Sequence, residues 1–232
     1  MEQTLKITNV MADPTRYYIY QYITKQHTDV TVQEIADSFN IHPNVARLHL
    51  SKLEDVNMLV SETKKTGKGG RPSRLYRLSD DFVQLQFPFR DYQLLSKIAI
   101  ETMMTLGEPG KKALYETGKK FGEELIHNQL PNNKTIAHLS FEEKVEVLRE
   151  AASMAGFYPE ISNNPDRTKI YFQVNNCPFK ELARENMDSV CDMHIAFVQG
   201  MFDVLFDDVQ LLQDDNMIVG CESCTYRAIL AK

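Results

Sequence analysis

"TVQEIADSFNIHPNVARLHLSKLE", residues 31–54, decides how the first third of the chain is read. Thr31 followed three residues later by Glu34 has the form of a capping box, in which side chain and backbone cap each other reciprocally. Val32, Ile35, Ala36 and Phe39 then fall on one helical face. "NIHPN" interrupts the pattern, and Pro43 suits the first turn of a new helix, where its missing N–H costs nothing. That helix is expected to run through residues 43–59 and to bury Val45, Leu48, Leu53 and Val56, with Leu50 and Leu59 as weaker members. Two short helices joined by a tight turn make a helix-turn-helix. Its second helix enters the DNA major groove by its N-terminal residues. Here those are His42, Asn44 and Arg47, with His49 and Ser51 one turn on. Asn, Arg and Ser can read base edges, and Arg can neutralise phosphate.

On the N-terminal side, "ADPTRYYIYQYITKQ" (12–26) predicts a helix with Tyr18, Ile19, Tyr22 and Ile23 at helical spacing. On the C-terminal side, "MLVSETKKT" reads as a strand, "GKGGRPS" as a turn and "RLYRLSDDF" as a return strand. Leu75 and Leu78 are expected to face inward, with Arg74 and Arg77 on accessible edges. Residues 63–78 hold six Lys or Arg and three glycines. This is the pattern of a β-ribbon wing, whose glycines let the backbone lie close to DNA. Lys64, Lys65, Lys68, Arg71 and Arg74 would contact phosphate or the minor groove. The charge distribution agrees. Residues 1–79 carry 11 Lys+Arg against 8 Asp+Glu, while the remainder carries 15 against 24, for a total of −6. Only the first third is suited to a polyanion.

"FPFRDYQLLSKIAIETMMTL" (87–106) predicts a connecting helix. Tyr92, Leu95, Ala99, Met103 and Leu106 line one face, widened by Leu94, Ile98 and Ile100. An apolar surface this broad exceeds the single stripe of a surface helix and fits burial against a second copy. Helix-turn-helix proteins use such pairing to reach two half-sites. Further helices are expected over 110–130, where Gly118 and Gly122 point to close helix packing, over 140–157, opened by a Ser140/Glu143 capping box, and over 181–206. Strands are expected around residues 158–174 and in "VQLLQ", "MIVG" and "CTYRAIL". The fold class is therefore α+β. It comprises a winged helix-turn-helix domain (1–86), a connector or dimerisation helix (87–108) and a C-terminal domain with an antiparallel sheet (109–232).

The four cysteines all lie in that last domain, spaced C-x13-C-x29-C-x2-C at Cys177, Cys191, Cys221 and Cys224. A C-x2-C pair can hold one metal through both thiolates, and two more thiolates complete a tetrahedral set. A reversible thiol switch is the alternative. His194 lies at i+3 from Cys191 and is a further candidate ligand, with Glu222 a weaker one.

"MADPTRYYIYQYI", the 31–54 stretch and "GKGGRPSRLYRLS" resemble the ArsR-like winged-helix regulators, and Gly70-Arg71-Pro72 resembles the wing of the SufR-type branch. "ALYETGKKFGEEL", "NNCPF" and "CESCTYRAIL" look like the C-terminal half of SufR-type regulators and also like vinyl-reductase-like ligand-binding domains. The SufR resemblance implies a dimeric repressor whose DNA affinity follows an iron–sulfur cluster held by C-terminal cysteines. The vinyl-reductase-like resemblance implies zinc instead; the alternative functions are a winged-helix regulator with a structural zinc and a small hydrophobic ligand as its signal, and a vinyl-reductase-like enzyme. The 29-residue gap between the second and third cysteines is much longer than the SufR pattern has.

Composition narrows the remaining classes. A hydrophobic fraction of 43% and a charged fraction of 25% are ordinary for a globular chain. There is no run of 18 apolar residues and no signal-peptide pattern at the start, so no membrane span is expected and the protein is read as cytoplasmic. No dinucleotide-binding glycine motif, nucleophile elbow or triad spacing is present, which argues against an enzyme. The expected function is a DNA-binding regulator, acting on double-stranded operator DNA as a homodimer and answering to a metal, redox or small-molecule signal.

Overall fold

The computed structural model describes residues 2–26, 28–64, 73–85, 87–130 and 135–230. The chain divides into two compact units, Met1–Arg90 and Asp91–Lys232.

The first unit holds helices α1 (Glu2–Met11), α2 (Pro14–Gln26), α3 (Val32–Phe39) and α4 (Pro43–Glu54). Strands β1 (Val30–Thr31), β2 (Leu59–Lys64) and β3 (Ser73–Leu78) form an antiparallel sheet in the order β1-β3-β2. The Thr31/Glu34 capping box forms, with Glu34 N donating to Thr31 Oγ1 and Thr31 N donating to the Glu34 carboxylate. Asn40, in the left-handed region at φ 51°, ends α3 and turns the chain toward α4. Asn is one of the few non-glycine residues that adopts this conformation readily. The core gathers Ile19, Ile23, Ile35, Leu50, Leu53 and Leu59 over the sheet. α1 adds Ile7 and Val10 to it, a helix that the sequence reading did not anticipate.

Three expectations for this unit are corrected. α4 ends at Glu54 rather than continuing to residue 59. Its buried face is Ala46, His49, Leu50 and Leu53, whereas Val45 and Leu48 are 42% and 56% exposed. On β3 the fully buried residue is Tyr76, while Leu75 is only half-buried. A strand alternates its faces every residue, so Leu75 and Leu78 cannot both point inward; Tyr76 and Leu78 share that face.

The second unit comprises α5 (Tyr92–Thr105), α6 (Glu108–Gln129), α7 (Phe141–Met154), α8 (Lys180–Glu185) and α9 (Met187–Leu205). Its antiparallel sheet runs β4 (Pro159–Asn163), β5 (Lys169–Val174), β7 (Cys224–Leu230) and β6 (Val209–Asp215), in that spatial order. Phe172, Tyr226 and Ala228 on the sheet pack against Ile126, Leu148, Ala151, Met201 and Phe202 on the helices. α6 and α9 approach backbone to backbone. A side chain at Gly122 would collide with the Phe197 carbonyl, and one at Gly200 with that of Lys119. The close packing expected of Gly118 and Gly122 is therefore present, with Gly200 as its counterpart on α9. The Ser140/Glu143 capping box also forms.

Two further expectations are corrected here. The helix expected over 181–206 is split into α8 and α9 at Asn186, whose φ of −136° leaves the helical region. "MIVG" is a short 3-10 turn (Met217–Val219) closed by Gly220, not a strand. α5 begins at Tyr92, capped by Asp91, whose side chain accepts from Leu94 N at 2.8 Å. It packs through Ile100 and Met104 against α8 and α9, and leaves Tyr92, Leu94, Leu95 and Ile98 more than half exposed. Among the described residues no helix is long and apolar enough to cross a membrane.

Candidate functional site

The outward face of α4 is built from its N-terminus. His42 is the N-cap, its Nδ1 accepting from Asn44 N at 3.2 Å. This ties the ring to the helix end. Asn44 and Arg47 are exposed, and Arg47 Nη1 donates to Asn44 Oδ1 at 3.4 Å. Ser51 lies one turn further along and is half-exposed.

His49 does not join them. It is buried, with its Nδ1 4.0 Å from Asp13 Oδ2, too far for a hydrogen bond. Burial pushes its imidazole below the ordinary histidine pKa, and the Asp13 carboxylate pulls against that. The expectation that His49 faces DNA is corrected. Two residues beyond Arg47 on a helix, it is turned by about 200° from that residue.

Arg74 was expected on phosphate but is engaged within the unit. Its Nη2 lies 2.9 Å from both carboxylate oxygens of Glu54, and its Nε donates to Ser61 Oγ at 2.7 Å. Its guanidinium also lies over the Tyr76 ring. Arg74, paired with Thr63 near the turn-ward end of the β2–β3 ladder, thus fastens the ribbon to the end of α4. Lys64 is exposed at the end of β2. Lys65, Lys68 and Arg71 lie outside the described residues, as does the Gly70-Arg71-Pro72 turn.

The second candidate site is a thiol cluster in the second unit. Val174 pairs with Cys224 across β5 and β7, which brings Cys224 alongside the segment carrying Cys177. Cys191 comes from α9, and Asn216 joins two of the thiols. Asn216 Nδ2 donates to Cys191 Sγ at 3.7 Å, and Cys224 Sγ reaches Asn216 Oδ1 at 3.9 Å. Met217 N donates to Cys224 Sγ at 3.3 Å. Cys221 is exposed, and all four cysteines are free thiols. His194 Nδ1 lies 3.7 Å from Cys177 Sγ. The ring is packed edge-on between Phe157 and Phe179, and its buried Nε2 has no partner.

The electrostatics follow from burial. Desolvation pushes the Cys177 thiol up to about 12 and raises Cys191 and Cys224 as well. Each thiolate would also repel the next: Cys177 feels Cys224 and Cys191, and Cys224 feels Cys191 and Cys221. Burial lowers His194 to about 4, so the ring is neutral. Coordination by a cation would relieve this mutual repulsion, and sulfur donors suit zinc or an iron–sulfur cluster. The donor set fits such a group chemically. In the present arrangement no three described His, Cys, Asp or Glu side chains form a group that could hold a metal. Asn216 is bonded to Cys191 and Cys224 instead. No motif in the sequence marked Asn216, since a lone Asn in a hairpin reads as a turn residue.

Beside His194 lies an apolar groove of about 380 Å³, lined by Phe121, Leu125, Phe157, Phe179 and Phe197 among others.

A family model described as a helix-turn-helix domain matches residues 11–62, so the first unit carries a helix-turn-helix domain. No curated protein matches the chain. Among solved structures, the chain is similar to trafficking protein particle complex subunit 3 from Naegleria fowleri, covalently bound to palmitic acid. The identity is 15% over 60% of this chain and 97% of that one, with a TM-score of 0.43. It is also similar to the phenol-responsive sensory domain of the transcription activator PoxR with phenol. There the identity is 16% over 79% of this chain and 89% of that one, with a TM-score of 0.45.

Proposed function

We propose that this protein is a transcription regulator, a repressor and not an enzyme, that binds operator DNA as a homodimer and senses its signal at the thiol cluster. The DNA-reading part rests on the outward pair Asn44 and Arg47 at the start of α4, in a helix-turn-helix domain. Lys64 and the basic residues of the wing add phosphate contacts. The exposed apolar face of α5 (Tyr92, Leu94, Leu95, Ile98) is the surface that a second copy would cover.

The sensing part rests on one observation: Asn216 bridges the Cys191 and Cys224 thiols of two separate elements, close enough to Cys177 that the three charges would repel. Cys177, Cys191, Cys221 and Cys224 would hold an iron–sulfur cluster, which supplies redox and cluster-supply sensitivity when bound, or zinc, which supplies neither redox chemistry nor electrons. To gather, Cys191 and Cys224 must leave Asn216. Cys191 sits half a turn from Ser189, whose hydroxyl contacts Met104 Sδ of α5 at 2.9 Å. A shift of the first turn of α9 would therefore be felt on the helix that carries the dimer face. The coupling to DNA affinity is expected at ~1–3 kcal/mol.

The test is anaerobic purification with an absorption spectrum and with iron, sulfide and zinc analysis of one sample. Iron with acid-labile sulfide and a broad band near ~400 nm supports the cluster. About one zinc per chain supports a structural or zinc-sensing site. Neither metal nor sulfide would contradict a cofactor at these cysteines.

A second reading is favoured by the apolar groove beside His194. It keeps the regulator, makes the cysteine site structural and places a small hydrophobic signal in the groove. Filling the groove by Phe197→Trp would then abolish the response to the signal and leave metal content unchanged.

A further inference from the structure

The exposed face of α4 is not purely polar. Leu48 is 56% exposed and stands at its centre, one turn after Asn44, three residues before Ser51 and next to Arg47. Val45, 42% exposed, flanks it. Neither belongs to the hydrophobic core of the unit, which takes Ala46, Leu50 and Leu53 from the same helix. A lone exposed leucine is unremarkable on a protein surface. The setting makes this one informative, because the side chains around it are those that hydrogen-bond to base edges.

Each base edge in the major groove offers a distinct set of groups. Asn pairs with the N6/N7 edge of adenine and Arg with the O6/N7 edge of guanine. The one apolar group there is the thymine 5-methyl. An isobutyl side chain between Asn44 and Ser51 has no hydrogen bond to offer, and methyl contact is the readout its chemistry allows. The Arg47–Asn44 hydrogen bond holds the polar pair to one side of Leu48, so that polar and apolar readout can fall on neighbouring base pairs.

We infer that Leu48 is a specificity residue that reads a thymine 5-methyl group, beside a base pair read by Asn44 and Arg47. This deepens the DNA-binding reading above and rests on it.

The experiment first selects preferred sites from random duplexes with the full chain. It then replaces each thymine of the selected site by deoxyuridine, which removes only the methyl group. Wild-type affinity is expected to fall roughly fourfold at one position per half-site, the value of one buried methyl-sized group. Leu48→Ala is expected to bind the thymine and deoxyuridine duplexes alike at that position, with an unchanged melting temperature because the side chain is exposed. Indifference of the wild type to deoxyuridine at every position overturns the inference while leaving DNA reading intact, and needs no variant. Retained sensitivity in Leu48→Ala also overturns it. Failure to enrich any sequence overturns the DNA-reading proposal and this inference with it.

Discussion

Arg74 on β3 grips Glu54 at the last turn of α4, with its Nη2 2.9 Å from both carboxylate oxygens. A residue of the ribbon's return strand thereby holds the ribbon to the second helix of the helix-turn-helix. Glu54 is largely shielded and Arg74 about half exposed. Solvent screening therefore discounts the pair, and the hydrogen bond to Ser61 adds to it. Arg74→Ala is expected to destabilise the first unit by ~1 kcal/mol. In a unit of this size that lowers the melting temperature by roughly 4–8 °C. An unchanged melting curve would show that the grip contributes nothing.

Arg47→Ala should behave in the opposite way. The side chain is exposed, and among the described residues it hydrogen-bonds to Asn44. Stability should stay within about 0.5 kcal/mol of the parent, as for most surface changes. Affinity for the selected duplex should fall by ~1–3 kcal/mol, with a loss of discrimination at one base pair. Titration by fluorescence anisotropy on cognate and single-mismatch duplexes separates a base contact from a phosphate contact, which would weaken all duplexes equally.

Much of this unit was legible in the sequence, for reasons that are local. The Thr31 capping box and Pro43 fixed where α3 and α4 begin. The phase of α4 was not legible, because the helix carries two apolar stripes. Val45 with Leu48 competes with Leu50 and Leu53, and the true core stripe also includes a histidine. Apolar spacing alone cannot tell a core stripe from an exposed apolar one. His49 looked like a DNA contact for the same reason. Only the packing of Asp13 and the α1–α2 corner against α4 shows it buried. In the second unit the cysteine spacing pointed to four residues, but the register that sets Cys224 opposite Val174 and the bonds of Asn216 to Cys191 and Cys224 are tertiary facts.

The pH dependence of the second unit follows from His194. Burial lowers its pKa from the ordinary 6.5 to about 4, so the unfolded chain takes up a proton that the folded chain refuses. Stability from this group is fully present above about pH 6.5 and is lost as pH falls toward 4, by on the order of 3 kcal/mol in total. Urea midpoints of the metal-free chain from pH 7 to 4 should show this loss, and His194→Leu should flatten it. An equal slope in the variant would assign the loss to other groups.

Gly122→Ala tests the contact between α6 and α9. The added methyl meets the Phe197 backbone carbonyl, which cannot rotate away as a side chain would. A destabilisation of ~1–3 kcal/mol or more is expected for the second unit. Gly156→Ala is the control for added bulk, since a Cβ there meets nothing within 4 Å, although its φ of 80° adds some backbone strain. A Gly122→Ala melting curve matching that of the parent would show that the two helices can separate at little cost.

In the proposed function, occupancy of Cys177, Cys191, Cys221 and Cys224 sets DNA affinity. The most direct measurement is the Kd of the full chain for its selected duplex under anaerobic conditions, before and after removal of bound metal or cluster, with the Cys221→Ser/Cys224→Ser double variant in parallel. Kd is expected to change by at least about fivefold on removal, and the double variant is expected to stay at the value of the stripped protein. One Kd shared by all three samples would contradict it.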